Sequence, residues 1–186
     1  MIYNHQYKFV FLQIPRTATR TMTRILSTAC KQKMPVLANR HTHFIPARDW
    51  LGATTWNSYF KFAFVRNPWD RHVSSYLMRR TRKAYTNLSF KVFIKTQKVN
   101  LYHQYLLDEN EKVAIDFIGK IEELDVGVNF ILDKLTLPKV DIPNIGKSSN
   151  RTGNYISYYT ENWMIEAVRD LYRPELIDYL GYRFGD

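Results

Sequence analysis

Residues Tyr59–Tyr76 read YFKFAFVRNPWDRHVSSY, and the way this stretch divides decides the fold. Tyr59 to Val65 is a short aromatic and β-branched run, the pattern of a buried strand. Arg66-Asn67-Pro68 interrupts it, and Pro68 suits a first helical turn because its missing N–H would have had no partner there. The helix is expected to run through Tyr76 to about Arg82. A buried strand, a tight loop and a helix form the repeating unit of a parallel α/β sheet. The same unit recurs upstream, where Tyr7–Ile14 (YKFVFLQI) is closed by Pro15 and followed by Met22, Ile25 and Leu26 at helical spacing. It recurs downstream as a short strand over Ala114–Ile118, ended by Gly119. A helix over Leu124–Leu135 follows, with Val128, Ile131, Leu132 and Leu135 on one face.

Between these units the signals weaken. Lys31–Pro46 is polar and punctuated by prolines, so it reads as irregular with at most one short strand. Phe90–Leu107 reads as partly helical with a break at Asn100. Thr160–Tyr172 reads as a helix capped by Thr160, and Pro174 as the opening of a last one. Pro138–Asn154 is a loop long enough to suggest a function. There are no repeats and no low-complexity tract. The expectation is a three-layer α/β fold with a central parallel sheet, in a single domain over residues 1–186.

Composition narrows the partners. Lys and Arg number 27 against 17 Asp and Glu, a formal charge of +10 that favours anionic ligands. Cys30 is the only cysteine, so no intrachain disulfide can form. No run approaches ~18 consecutive apolar residues, and the first residues lack a signal-peptide pattern. The chain reads as cytoplasmic, with no integral membrane segment.

Two segments have the chemistry of anion binding. Ile14-Pro15-Arg16-Thr17-Ala18-Thr19-Arg20-Thr21 lies between the first strand and its helix. Such a turn aims backbone N–H groups and the positive end of the helix dipole at one point, which suits a phosphate. Both glycines of the GxxxxGK(S/T) phosphate loop are missing. A capped helix with two solvated arginines explains the turn equally well. In the second segment, Arg66 ends a strand and Ser74 lies on the next helix, where a guanidinium and a hydroxyl can hold a terminal phosphate. The competing reading is a structural Arg66–Asp70 pair with Trp69 and Tyr76 in the core.

These segments resemble the family 2 carbohydrate sulfotransferases. FLQIPRTATRTM is similar to that family's hIPKTxxTS, and FKFAFVRNPWDRHVSSY to its FVRNPxxRxxSxY. Asp116–Leu124 is similar to its DFIGxxExL run, and Tyr158–Thr160 with Gly181–Phe184 to its YYT…GYxF tail. The resemblance implies a phosphate-loop-like sulfotransferase fold and use of 3′-phosphoadenosine 5′-phosphosulfate (PAPS), with 3′,5′-phosphoadenosine as product and no metal. It implies that Arg66 and Ser74 bind the donor's 3′-phosphate. Arg16, Thr17 and the backbone of Ala18, Thr19, Arg20 and Thr21 would hold the 5′-phosphosulfate. Arg151, or Lys147, would touch phosphate from the loop before the last helices. The chain departs from the family where Arg16 replaces lysine and where Thr19 stands near a common glycine, which disfavours a left-handed backbone at Thr19.

Sulfuryl transfer to a hydroxyl needs a base, and a histidine titrates in the right range. His41 and His43 both precede Leu51-Gly52 and the aromatic strand. By the resemblance His41 is preferred, with Arg16 neutralising charge on the leaving phosphate. The expected acceptor is a carbohydrate or another hydroxyl compound, and not a nucleic acid. Two readings compete: a nucleotide-dependent kinase of related fold, and a non-enzymatic basic module binding glycan or nucleic acid.

Overall fold

The computed structural model describes residues 1–35, 40–143 and 153–186. In chain order its elements are β1 (Ile2–Asn4), β2 (Phe9–Leu12), α1 (Thr19–Ala29), α2 (Phe44–Leu51), α3 (Ala53–Ser58) and β3 (Phe60–Val65). Then come α4 (Pro68–Arg80), α5 (Phe90–Thr96), α6 (His103–Leu106), β4 (Phe117–Lys120), α7 (Leu124–Lys134), α8 (Asn162–Tyr172) and α9 (Pro174–Tyr179). They fall into two compact units. One comprises Met1–Val65 with Tyr102–Lys147, the other Arg66–Leu101 with Ser148–Asp186.

The first unit holds a mixed α/β core. Its sheet has the order β1-β2-β3-β4, with β2, β3 and β4 parallel and β1 an antiparallel edge. Because β2 and β3 pair in parallel, Leu12 and Val65 leave the sheet at the same edge, the side where ligands of open α/β sheets bind. Alternate residues of these strands, Phe9 and Phe11 with Phe62 and Phe64, pack with Met22, Ile25 and Leu26 of α1 and Val128, Ile131 and Leu132 of α7. This is the face that the helical spacing of those residues requires.

The third strand differs from expectation. It runs over Phe117–Lys120, not Ala114–Ile118, and Gly119 lies inside it. Asp116 fixes the entry: its carboxylate accepts from the Lys61 backbone N–H at 2.7 Å and pairs with the Lys61 ammonium at 2.9 Å. Gly119 is required by packing, since a Cβ there would lie 2.5 Å from Cε1 of Phe64. A Cβ at Gly127 of α7 would come within 2.8 Å of the same atom. The two glycines form a socket for that buried ring. Gly119→Ala is expected to cost about 1–3 kcal/mol, as overpacking does, and clearly less in a Phe64→Leu background. Denaturant unfolding of the four chains measures both.

Two further boundaries moved. Pro46 lies within the first turn of α2, where a missing N–H does no harm, so Lys31–Pro46 is not wholly irregular. Helix α8 starts at Asn162 with Glu161 at its cap, and the Thr160 hydroxyl lies instead 3.8 Å from the Met164 sulfur.

In the second unit α4 packs against α8, and α8 against α5 and α9. Trp69, Val73, Tyr76, Phe90, Phe93, Val168 and Tyr172 are buried there. Asn67 opens α4, its side-chain carbonyl accepting from the Trp69 and Asp70 N–H groups at 3.1 and 3.3 Å. Its amide nitrogen donates to the Arg183 carbonyl at 2.9 Å, tying the helix start to the end of the chain. Arg71 is 1% exposed and donates to the Tyr172 hydroxyl at 2.6 Å and the Asn100 carbonyl at 2.7 Å. This arginine, part of the stretch that decided the fold, braces the unit from inside.

Candidate active site

The first unit builds a turn suited to an anion. The hydroxyl of buried Thr17 donates to the Ile14 carbonyl at 2.9 Å, closing the chain back on the end of β2. That hydroxyl is therefore committed to the turn itself. Arg16 and Ala18 take left-handed backbone angles, φ 70° and φ 55°, at a cost of about 1–2 kcal/mol each for residues with a Cβ. Thr19 is not left-handed. The special backbone that the resemblance put near Thr19 falls on its neighbour Ala18, which occupies the N-cap of α1.

Helix starts usually recruit Ser, Thr, Asp or Asn to answer their first N–H groups. Ala18 has no side chain that can do so, and the first turn holds no acidic residue. A left-handed residue followed by a right-handed one also turns successive N–H groups into a common concavity, the geometry of an anion nest. Arg20 is exposed and Arg16 half-buried at this point, while Thr19 and Thr21 are buried. The turn is thus strained, without a side-chain cap at Ala18, and flanked by cations. All three features fit a phosphate or sulfate group.

His41 meets the base of this turn. Its Nδ1 lies 2.6 Å from the main-chain carbonyl of Gln13, three residues before Arg16. A carbonyl only accepts, so Nδ1 carries the proton and Nε2 is the basic nitrogen, the form a general base needs. Tyr105, buried on α6, donates its hydroxyl to the His41 carbonyl at 3.2 Å. His43 sits at the start of α2 with its ring edge-to-face on Tyr105, centroids 4.8 Å apart. The structure separates the two histidines: one is oriented at the end of β2, the other packs on the tyrosine that supports it.

Sequence reasoning missed Gln13, Thr23 and Tyr105. Gln13 is the lone polar residue at the end of an apolar strand, a signal that was available. Its Nε2 donates to the Thr23 hydroxyl at 3.1 Å, which donates in turn to the Thr19 carbonyl at 2.6 Å. Tyr105 is one of thirteen tyrosines and had nothing to mark it.

The second unit places Arg66, Asp70 and Ser74 four residues apart, along one face of α4 and its lead-in. Nε and Nη2 of Arg66 both contact Oδ2 of Asp70, at 2.7 and 2.6 Å. The pair weighed as the structural reading is formed, and Trp69 and Tyr76 are buried as that reading required. It does not compete with a binding role, because a carboxylate gripping one side of a guanidinium also aims it. Ser74 is 4% exposed one turn further along. Arg151 and Lys147 lie outside the described residues. Among the described residues, no group of three or more His, Cys, Asp or Glu is placed to hold a metal, and no helix is long and apolar enough to cross a membrane.

Comparison with known proteins agrees with these features. A carbohydrate sulfotransferase 11 of Mus musculus is 23% identical over 167 residues, covering 69% of this chain and 47% of its own length. The Rattus norvegicus protein of the same name matches to the same extent. The chain therefore spans about half the length of these curated relatives. An uncharacterized protein of Archaeoglobus fulgidus is 34% identical over 96 residues, half of this chain and 80% of its own. No solved structure matches significantly. The model of the Sulfotransferase family matches residues 1–185, a range that takes in both candidate segments, and by that match the chain belongs to the sulfotransferase family.

Proposed function

We propose that the protein transfers a sulfuryl group from PAPS to a hydroxyl of a carbohydrate, as a single domain with the three-layer, phosphate-loop-like fold of its family, in a reducing cytoplasmic setting. The observation that carries the reading is the left-handed start of α1, with no side-chain cap at Ala18, beside a histidine hydrogen-bonded to the Gln13 carbonyl at the end of β2. PAPS supplies the activated sulfur and a 3′-phosphate as a second anionic handle. The N–H groups of Ala18 to Thr21 and the guanidinium of Arg16 bind the 5′-phosphosulfate, with Arg20 adding charge. Arg66, aimed by Asp70, and Ser74 bind the 3′-phosphate. His41 Nε2 takes the proton of the acceptor hydroxyl, and Arg16 stabilises charge on the departing phosphate oxygen. Arginine in place of lysine keeps the positive charge and adds a forked donor. The carbohydrate acceptor is supported by the names of the mouse and rat relatives.

Calorimetric titration of 3′,5′-phosphoadenosine, with 5′-AMP as control, tests the donor. The 3′-phosphate is expected to add about tenfold or more in affinity through charge-assisted bonds. Arg66→Ala should remove that increment while leaving 5′-AMP binding nearly unchanged. Equal affinity for the two nucleotides on the unsubstituted chain overturns the PAPS assignment.

A further inference from the structure

Among the described helices only α7 exposes two large apolar side chains, Val126 at 62% and Phe130 at 47%. With Glu123 at the helix start and Lys134 at its end they stand at i, i+3, i+7 and i+11, which is one stripe of a helix. The opposite face, with Val128, Ile131 and Leu132, fills the core. Phe130 also stacks on Phe117 of β4, their ring centroids 4.4 Å apart. The stripe therefore borders the last strand of the sheet, which among the described residues pairs with β3 alone. Open edges of this kind are normally covered, because their free N–H and C=O groups invite pairing.

The charges on the stripe indicate what covers it. Glu123 and Lys134 are exposed, and among the described residues neither forms an ion pair. They lie about 16 Å apart along the helix, too far to pair with each other. The stripe is thus acidic at one end, apolar in the middle and basic at the other, a pattern complementary to its own reverse. A two-fold axis midway along α7 sets Glu123 of one copy against Lys134 of the other, and Val126 against Phe130, each contact occurring twice. Asp133, the anion beside Lys134, is already neutralised by Lys139 at 2.5 Å.

We propose that this face is a dimer interface, on which a second copy of the chain seats its own α7 antiparallel to the first. The inference goes beyond the donor and acceptor readings and does not depend on them. A foreign partner would have to supply the reversed charge pattern by coincidence, whereas a second copy supplies it by symmetry. One helix and a strand edge make a small interface, below about 1,200 Å² in total, so the dimer is reversible, with a Kd in the micromolar range.

Sedimentation equilibrium of the full chain, from about 1 to 200 µM, tests this. The mass is expected to rise with concentration from 22.2 kDa toward twice that value. V126D/F130D should weaken the dimer at least about tenfold, since it buries unpaired charges at the centre of the contact. V92D, at an equally exposed apolar position on α5 (47%), should weaken it less than about twofold. E123K and K134E should each weaken it about fivefold or more by setting like charges together, and E123K/K134E should return to within about threefold of the parent. That rescue cannot arise inside one chain, given the distance between the two positions. Circular dichroism of each variant separates dissociation from unfolding. A single-chain mass at every concentration, equal loss in V92D, or no rescue by the double reversal each overturns the proposal.

Discussion

His41→Ala is expected to lower kcat by about 10²–10⁴, the range for removing a positioned general base, while 3′,5′-phosphoadenosine should still bind with nearly its original affinity. The two halves of this expectation have separate causes. The turn is closed by Thr17 on Ile14 and shaped by the left-handed backbone of Arg16 and Ala18. The imidazole needs the turn, because the Gln13 carbonyl sets its tautomer. Steady-state sulfuryl transfer with nucleotide binding in parallel measures both. His43→Ala is the control and should act mainly through the packing it loses on Tyr105. A variant that lost little kcat at position 41 and much at position 43 would reverse the assignment.

His72 makes the fold acid-sensitive. It is fully buried on α4, its ring edges meet Phe93 and Tyr172, and neither ring nitrogen has a hydrogen-bond partner among the described residues. Burial, with the neighbouring Arg71 charge adding to it, pulls its pKa down from the usual 6.5 to about 3. A depressed histidine is neutral in the native state at pH values where the unfolded chain binds a proton. Its contribution is fully present above about pH 6.5 and is lost as pH falls toward 3. The loss amounts to about 1.4 kcal/mol per pH unit in that window. At pH 4.5 it reaches roughly 2–3 kcal/mol, several degrees in Tm for a chain of this size. His72→Leu has a similar volume and no proton to bind. Its Tm should fall several degrees less between pH 7 and pH 4.5 than that of the parent. Parallel falls would show that carboxylates alone govern acid unfolding.

The strands that carry the site were legible because they are buried on both faces and so appear as unbroken apolar runs. Phe9–Leu12 and Phe60–Val65 both fall inside the expected segments. The edge strand Ile2–Asn4 was not legible, since three residues give no periodicity and its existence depends on pairing with Phe9–Phe11. Helix α3, over Ala53–Ser58, is equally short and buries only Trp56. The start of β4 was misplaced because a long-range contact, Asp116 on Lys61, decides it. The anion turn was legible in kind, as arginines after a strand, but its conformation was not. Left-handed angles at Arg16 and Ala18 contradict local preference, and such contradictions gather where a backbone is shaped for a ligand. The support of His41 by Tyr105, and its hydrogen bond to Gln13, join residues 64 and 28 positions apart. Only folding brings them together.

The oxygen that orients His41 belongs to the main chain of Gln13, and every amino acid carries that oxygen. Exchange of the side chain at position 13 leaves it in place, so the imidazole inherits an orientation largely insulated from genetic drift at that codon. A deep mutational scan would score the position for its bond to Thr23 and its packing, and would register nothing of its hold on the imidazole. Here a map of tolerated substitutions and a map of chemical contribution diverge, and only an atomic change to the peptide unit itself, such as an ester in place of the amide linking Gln13 to Ile14, would bring the hidden contribution into view.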